Sequence, residues 1–189
     1  MTATTAAPVR WTIADLEHLP DSEGTRYEII AGELYMSKQP HWHHQKVCST
    51  LNSYLFMWNL TDNLGEIVAA PGIIFSDDDA VAPDLVWVSK ERLAALLGED
   101  GKLHGAPELV IEVLSFGGAN ENRDKEAKRK LYSVRGVSEY WIIDWRLQVV
   151  EIYQREAAAL QLKATLQPTD EVTSPLLPNF KLKVNQIFE

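Results

Sequence analysis

Apolar residues at Val47, Leu51, Tyr54, Leu55 and Trp58 recur every three or four positions. This spacing predicts a helix over 43–60, with His44 on the same stripe one turn earlier. From Gly65 the period shortens. Gly65–Phe75, Asp84–Ser89 and Glu108–Leu114 are β-rich runs bounded by turn residues, and Asp77-Asp78-Asp79 is the turn between the first two. Pro83 and Pro107 each stand just before a strand, where a missing N–H does least harm. Upstream, Thr12 with Asp15 three residues on predicts a capped short helix ending at Pro20. Arg26–Met36 reads as two short strands about an Ala31-Gly32 turn. Downstream, Lys90–Leu97 predicts a helix stopped at Gly98, and residues 121–135 a second one stopped at Gly136. Glu139–Asp144 and Val149–Gln154 read as a hairpin, and Phe180–Val184 as a last strand after Pro175 and Pro178.

The order predicts an α/β (α+β) fold, a central mixed β-sheet flanked by helices. Asp84–Ser89 and Glu108–Leu114 are almost continuously apolar, as strands covered on both faces are. Residues 1–11 read as a flexible leader and 12–189 as a single domain.

Composition narrows the classes. At 46% hydrophobic and 24% charged the chain is ordinary for a globular protein. A domain of this size buries roughly 70% of its unfolded surface, so it folds without metal or disulfide. The single cysteine, Cys48, excludes a disulfide framework and a zinc site built of cysteines. No apolar run reaches about 18 residues and no signal peptide is apparent, so no membrane partner and a cytoplasmic location are expected. A net charge of −9 excludes a protein that coats DNA through a basic surface. One segment departs from that average. Arg123–Arg135 holds six basic and two acidic residues, a local charge of about +4 in an otherwise acidic chain.

Glu112 is the chemical anomaly, because it interrupts Leu109-Val110-Ile111-Glu112-Val113-Leu114. A buried carboxylate costs several kcal/mol unless it is paired or bound to a cation. Asp84 repeats the pattern at the head of Leu85-Val86-Trp87-Val88. If the two strands are neighbours, two carboxylates converge on one side of the sheet and call for a divalent cation. Oxygen ligands alone favour Mg2+ or Mn2+ over zinc. The bland alternatives are a structural salt bridge at Glu112 and a turn residue at Asp84. In the basic helix, Asp124, Lys128 and Tyr132 share a spacing of four, while Ala127, Leu131 and Val134 form the buried stripe. Lys128 and Lys130 lie on the two borders of that stripe, and the helical wheel does not choose between them. A lysine beside two carboxylates and a metal suits phosphodiester hydrolysis, whereas a solvated basic face is the commoner meaning of such a run. Removing a lysine at the border of a stripe should cost little stability.

Other motifs are weaker. His41, His43 and His44 lack the i, i+4 spacing of a helical zinc pair, and a capping or core role suits His44. Cys48 reads as a buried, inert thiol. Gly117-Gly118 follows a strand without the rest of a phosphate loop, and no nucleotide or serine-hydrolase motif is present.

Arg26-Tyr27-Glu28-Ile29-Ile30-Ala31-Gly32-Glu33-Leu34, His44-Gln45, Pro83-Asp84-Leu85 and the run from Pro107 to Ser115 together resemble the Uma-two family of restriction-endonuclease-like proteins. Asp124, Lys128, Tyr132, Gly136-Val137 and Glu139–Asp144 continue the likeness, and Ser174–Pro178 resembles the family's ending, so it covers about 12–188. The resemblance implies a PD-(D/E)XK nuclease core using Mg2+ or Mn2+. Asp84 would be the acid of the Pro-Asp half-motif and Glu112 that of the second, with the Val113 carbonyl as a third metal ligand. The lysine usual two residues after the second acid is replaced here by Leu114, and the resemblance assigns its role to Lys128 rather than Lys130. Glu28 would complete the acidic cluster. Phe116 departs from the family pattern, which carries proline there.

Two functions follow as expectations. The first is a metal-dependent endonuclease acting on nucleic acid, DNA above RNA, with the basic helix attracting phosphate. A homodimer suits it, since nucleases that cut both strands often pair. The second is a catalytically inactive module of the same fold that binds a partner or assembles with itself.

Overall fold

The computed structural model describes residues 9–20, 24–115, 121 and 123–189. A two-residue turn joins β1 (Arg26–Ile30) to β2 (Glu33–Ser37) in antiparallel register. Ala31 and Gly32 both take positive φ there, 52° and 76°, as the tight hairpin turn demands. The Asp79 carboxylate accepts the Ala31 N–H at 2.7 Å and offsets the left-handed strain of a residue with a Cβ.

Helix α2 (Trp42–Asp62) buries His44, Val47, Leu51, Leu55 and Asn59, a stripe of helical period. Tyr54, expected on that stripe, is partly exposed instead. Asn59 clamps the helix to the next strand, because its side chain bonds both the carbonyl and the N–H of Gly65. Any Cβ at Gly65 would fall 2.2 Å from the Val88 carbonyl, so this crossing requires glycine.

The expected strand Gly65–Phe75 is two strands. β3 (Gly65–Ala69) and β4 (Ile73–Ser76) belong to different sheets, and the chain breaks at Ala70 (φ 51°) and Pro71-Gly72. Asp79, expected in the turn, opens β5 (Asp79–Val81). The four-stranded antiparallel sheet runs β2-β1-β5-β4.

The larger sheet adds β6 (Leu85–Ser89), β7 (Leu109–Val113), β8 (Glu139–Asp144), β9 (Val149–Glu156) and β10 (Ala159–Leu166), in the order β10-β9-β8-β7-β6-β3. All its neighbours are antiparallel except β7 and β8. That parallel pair makes the sheet mixed, as expected, and needs a helical crossover. Helix α3 (Lys90–Leu96) follows β6, capped by Ser89. The crossover takes π-helical turns over Arg123–Lys128 and continues as α4 (Arg129–Arg135), ended by Gly136 at φ 97°. β10 was not expected from the sequence. Neither was β11 (Glu171–Ser174), which pairs with β12 (Leu177–Lys183). β10 buries one position of eight, so its patterning is weak, and β11 alternates over only four residues. The N-terminal helix α1 keeps its Thr12–Asp15 cap but spans only Ile13–Leu16, and α5 (Val184–Phe188) closes the chain.

Two cores flank the larger sheet. Leu85, Trp87, Leu109, Ile111 and Val113 face α2, β12 and α5. Val86, Val110 and Leu114 face Leu131 and Tyr132 of α4 and Ile30, Ile73 and Val81 of the smaller sheet. Side chains alternate along a strand, so Asp84 and Glu112 share the second face. The pairing Leu85↔Ile111, continued one step, sets them opposite each other. Among the described residues no helix is long and apolar enough to cross a membrane.

Candidate active site

Glu112 reaches from the middle of β7 into the second core and is 3% exposed. Lys128 meets it with Nζ 2.8 Å from Glu112 Oε1, and the Tyr132 hydroxyl donates to the same oxygen at 3.1 Å. Nζ also lies 3.0 Å from Glu28 Oε1 and 3.7 Å from Asp124 Oδ1. Glu28 comes from β1 in the other sheet, where the Ala82 N–H donates to its Oε1 at 2.9 Å. Arg123 bonds Asp124 at 3.1 Å and lies 3.6 Å from Glu28. Asp84 is fixed on Oδ2, which accepts the Val113 N–H at 2.8 Å and stands 3.1 Å from His44 Nε2. These bonds leave Oε2 of Glu112 and Oδ1 of Asp84 without a hydrogen bond among the described residues. Glu28, Asp84, Glu112, Val113 and Lys128 all line one cleft of about 270 Å³.

The buried stripe of the crossover decides which lysine enters. Asp124, Lys128, Leu131 and Tyr132, spaced i, i+4, i+7 and i+8, are buried on one helical face, with Arg123 beside them. Val134, expected in the buried stripe, is 73% exposed, and Lys130 faces outward. Tyr132 is fully buried beneath Glu112. The expected phosphate-attracting basic face is reduced, with Lys130 exposed and most of the other cations paired. Arg123 and Lys128 are buried in ion pairs, Lys125 pairs with Glu121, Arg129 covers the Tyr153 ring and Arg135 holds Asp79. The ammonium of Lys128 sits among three buried acids, which argues for a larger stability cost on its removal than the sequence led one to expect.

Charge sets the protonation states. Burial opposes ionisation of Glu28, but the Lys128 and Arg123 charges hold its pKa below the usual value. Burial likewise opposes ionisation of Asp84, and the His44 contact and the Val113 N–H lower it overall. Glu112 is pushed up to about 8 by burial and by the anions around it, against the pull of Lys128. Lys128 loses hydration, yet Glu112, Glu28 and Asp124 raise its pKa and keep it an ammonium. Four carboxyl groups (Glu28, Asp84, Glu112 and Asp124) share two buried cations, Lys128 and Arg123, and this shortage of positive charge favours the protonated form of Glu112; a divalent ion would supply the missing charge. The donor set is oxygen, which suits Mg2+ or Mn2+.

His44 is neither the cap nor an idle core residue. His41 caps α2, its Nδ1 accepting the His43 N–H at 3.2 Å, and both rings pack on Trp145. His44 touches Asp84 instead. Sequence reasoning missed His44, Asp124 and Arg123 as members of the cluster. The i, i+4, i+8 spacing of Asp124, Lys128 and Tyr132 was the available signal for one of them. Phe116 and Gly117-Gly118 lie outside the described residues.

A family model described as "Putative restriction endonuclease", the Uma2 family, matches residues 13–185. The chain belongs to this family. A crystal structure from Anabaena variabilis, titled a putative nuclease belonging to DUF820, has the same fold: TM-score 0.72, 22% identity, covering 94% of this chain and 97% of that one. No curated protein matches the chain. Membership in the Uma2 family supports a nuclease on a restriction-endonuclease-like core, as the sequence led one to expect.

Proposed function

We propose that this Uma2 protein is a Mg2+- or Mn2+-dependent endonuclease that hydrolyses phosphodiester bonds of DNA in the cytoplasm. The observation that carries the reading is the meeting of Glu28, Asp84 and Glu112 with a buried ammonium, Lys128, in one cleft. Asp84 Oδ1, Glu112 Oε2 and the Val113 carbonyl would hold the ion. When bound, the ion supplies Lewis-acid stabilisation of the phosphoryl oxygens and lowers the pKa of water.

The chain's own groups do the rest. Lys128 is a proton donor in hydrogen bonds and not a base, so it orients the attacking water and offsets the phosphate's growing charge. Glu28 stays ionised and holds Lys128 from the far side. Tyr132 and Val113 fix the rotamers of Glu112 and Asp84, so the two acids are set before substrate arrives. Cutting both strands of a duplex suits a homodimer, and Phe56, Met57 and Leu60, exposed on α2, are apolar surface for such pairing.

The second reading, a binding module without catalysis, draws on the acidic surface and the spent cations of the crossover helix. Plasmid nicking separates the two. Wild type should nick with Mg2+ or Mn2+ and not with EDTA, and Asp84→Ala should lose a factor of about 10² or more in rate. Equal nicking by wild type and Asp84→Ala would end the nuclease reading.

A further inference from the structure

Cys48 stands four residues after His44 on α2, so both side chains lie on one helical face. The head of β6 brings Asp84 against that face. Cys48 Sγ lies 3.6 Å from His44 Nδ1, and His44 Nε2 lies 3.1 Å from Asp84 Oδ2. One ligand atom from each of the three lies within 4.8 Å of the others. We infer that His44, Cys48 and Asp84 form a second cation site, for a thiophilic dication such as Zn2+ or Co2+, which shares Asp84 with the proposed Mg2+ site. Only the sharing of Asp84 rests on the nuclease reading.

The two sites differ in softness. Imidazole nitrogen and thiol sulfur select borderline and soft ions, whereas the oxygens at Glu112 select hard ones. One cysteine excludes a cysteine-rich site but suffices for a mixed set. Bonds of about 2.0–2.2 Å to nitrogen and oxygen and about 2.3 Å to sulfur give a tetrahedral ligand–ligand edge of about 3.5 Å. Both measured contacts are near that edge, but they use opposite nitrogens of the ring. The ion takes one nitrogen, and the third ligand closes by about 1 Å through side-chain rotation. His44 and Asp84 line the cleft, so water reaches the fourth position. On binding, the Cys48 thiol releases its proton to solvent and the sulfur–metal bond forms. Without an ion the same three groups make a hydrogen-bond chain, from the thiol to Nδ1 and from Nε2–H to Asp84. A soft ion that claims Asp84 draws it away from Glu112 and halts hydrolysis.

Cobalt binding tests the site directly. Co2+ titrated into the full chain without Mg2+ should raise a sulfur-to-cobalt charge-transfer band that saturates at one equivalent. The band should vanish in Cys48→Ser and Cys48→Ala and persist in Glu112→Gln. No band in wild type, or a band that survives both Cys48 substitutions, overturns the site. In a second arm, Zn2+ should inhibit Mg2+-driven nicking by wild type and spare Cys48→Ser. Equal inhibition of both overturns the shared role of Asp84. If wild type does not nick at all, the nuclease reading fails while the cobalt band still decides the site.

Discussion

Lys128 concentrates the electrostatics of this protein in one side chain. Its ammonium contacts Glu112 at 2.8 Å, Glu28 at 3.0 Å and Asp124 at 3.7 Å, and it is 1% exposed. Truncating one partner of such a cluster leaves buried charge uncompensated, which costs roughly 3–5 kcal/mol. Lys128→Ala should therefore lower unfolding stability by about that amount in urea titrations, and adding Glu112→Gln to Lys128→Met should recover much of it. If Lys128→Ala unfolds like wild type, the acids are compensated elsewhere. Glu112 gives the pH signature. Burial and neighbouring anions raise its pKa from 4.5 to about 8, so the folded chain holds this proton more tightly than the unfolded one. The stability it contributes is fully present below about pH 4.5 and is lost as pH rises through about 8. Metal-free wild type should lose melting temperature between pH 5.5 and 8.5 relative to Glu112→Gln, whose amide keeps an oxygen for Lys128 and Tyr132. A difference between the two proteins that does not change with pH would show that Glu112 ionises normally.

At the scale of elements, the crossover helix places the site by carrying Asp124, Lys128 and Tyr132 on its buried face. Its π turns over Arg123–Lys128 free carbonyls from regular pairing, and the Tyr140 hydroxyl of β8 donates to the Asp124 carbonyl at 2.9 Å. Tyr140→Phe leaves that buried carbonyl without the bond, a loss of roughly 1–3 kcal/mol. Hydrogen exchange should quicken over 123–128 more than over α4, because the π turns lose a tether that α4 does not use. Uniform quickening along the whole crossover would show that Tyr140 acts through general packing. Asp124 and Lys128 point inward together because they stand four residues apart on one helical face, and Val134 lies off that face.

At the scale of the molecule, the net charge of −9 and the pairing of the crossover's cations leave few groups for phosphate. Arg26 and Lys38 line the cleft. Each phosphate neutralised contributes a slope of about −0.9 to log K against log salt. Two contacts therefore predict a slope of about −2 for duplex binding by the Asp84→Asn variant, read by fluorescence anisotropy. A slope of about −6 or steeper would reveal a basic face that this fold lacks. On the proposed function, weak and salt-tolerant binding would leave the ion and the cleft to supply most of the grip on substrate.

Alternation along β6 and β7 was legible in the chain, and with it the oddity of Asp84 and Glu112 at apolar positions. The parity that puts both on one face is a local property, because a strand's side chains alternate whatever it pairs with. The helix stopped at Gly136 and the hairpin from Glu139 were legible for the same reason. Which faces meet is not local. Glu28 lies 84 positions before Glu112 in sequence and in a different sheet, and only the packing of the two sheets brings its carboxylate to Lys128. The likeness to a family could nominate Glu28 and Lys128, but periodicity left Lys128 and Lys130 as equal choices, since a helical wheel does not say which border of a stripe meets the acids. His44 was visible on a buried stripe, yet its partner Asp84 is 40 residues away. Short-range spacing determined which residues face inward. The tertiary structure alone decided which inward-facing charges neutralise one another, because that depends on distances of a few ångströms between elements far apart in the chain.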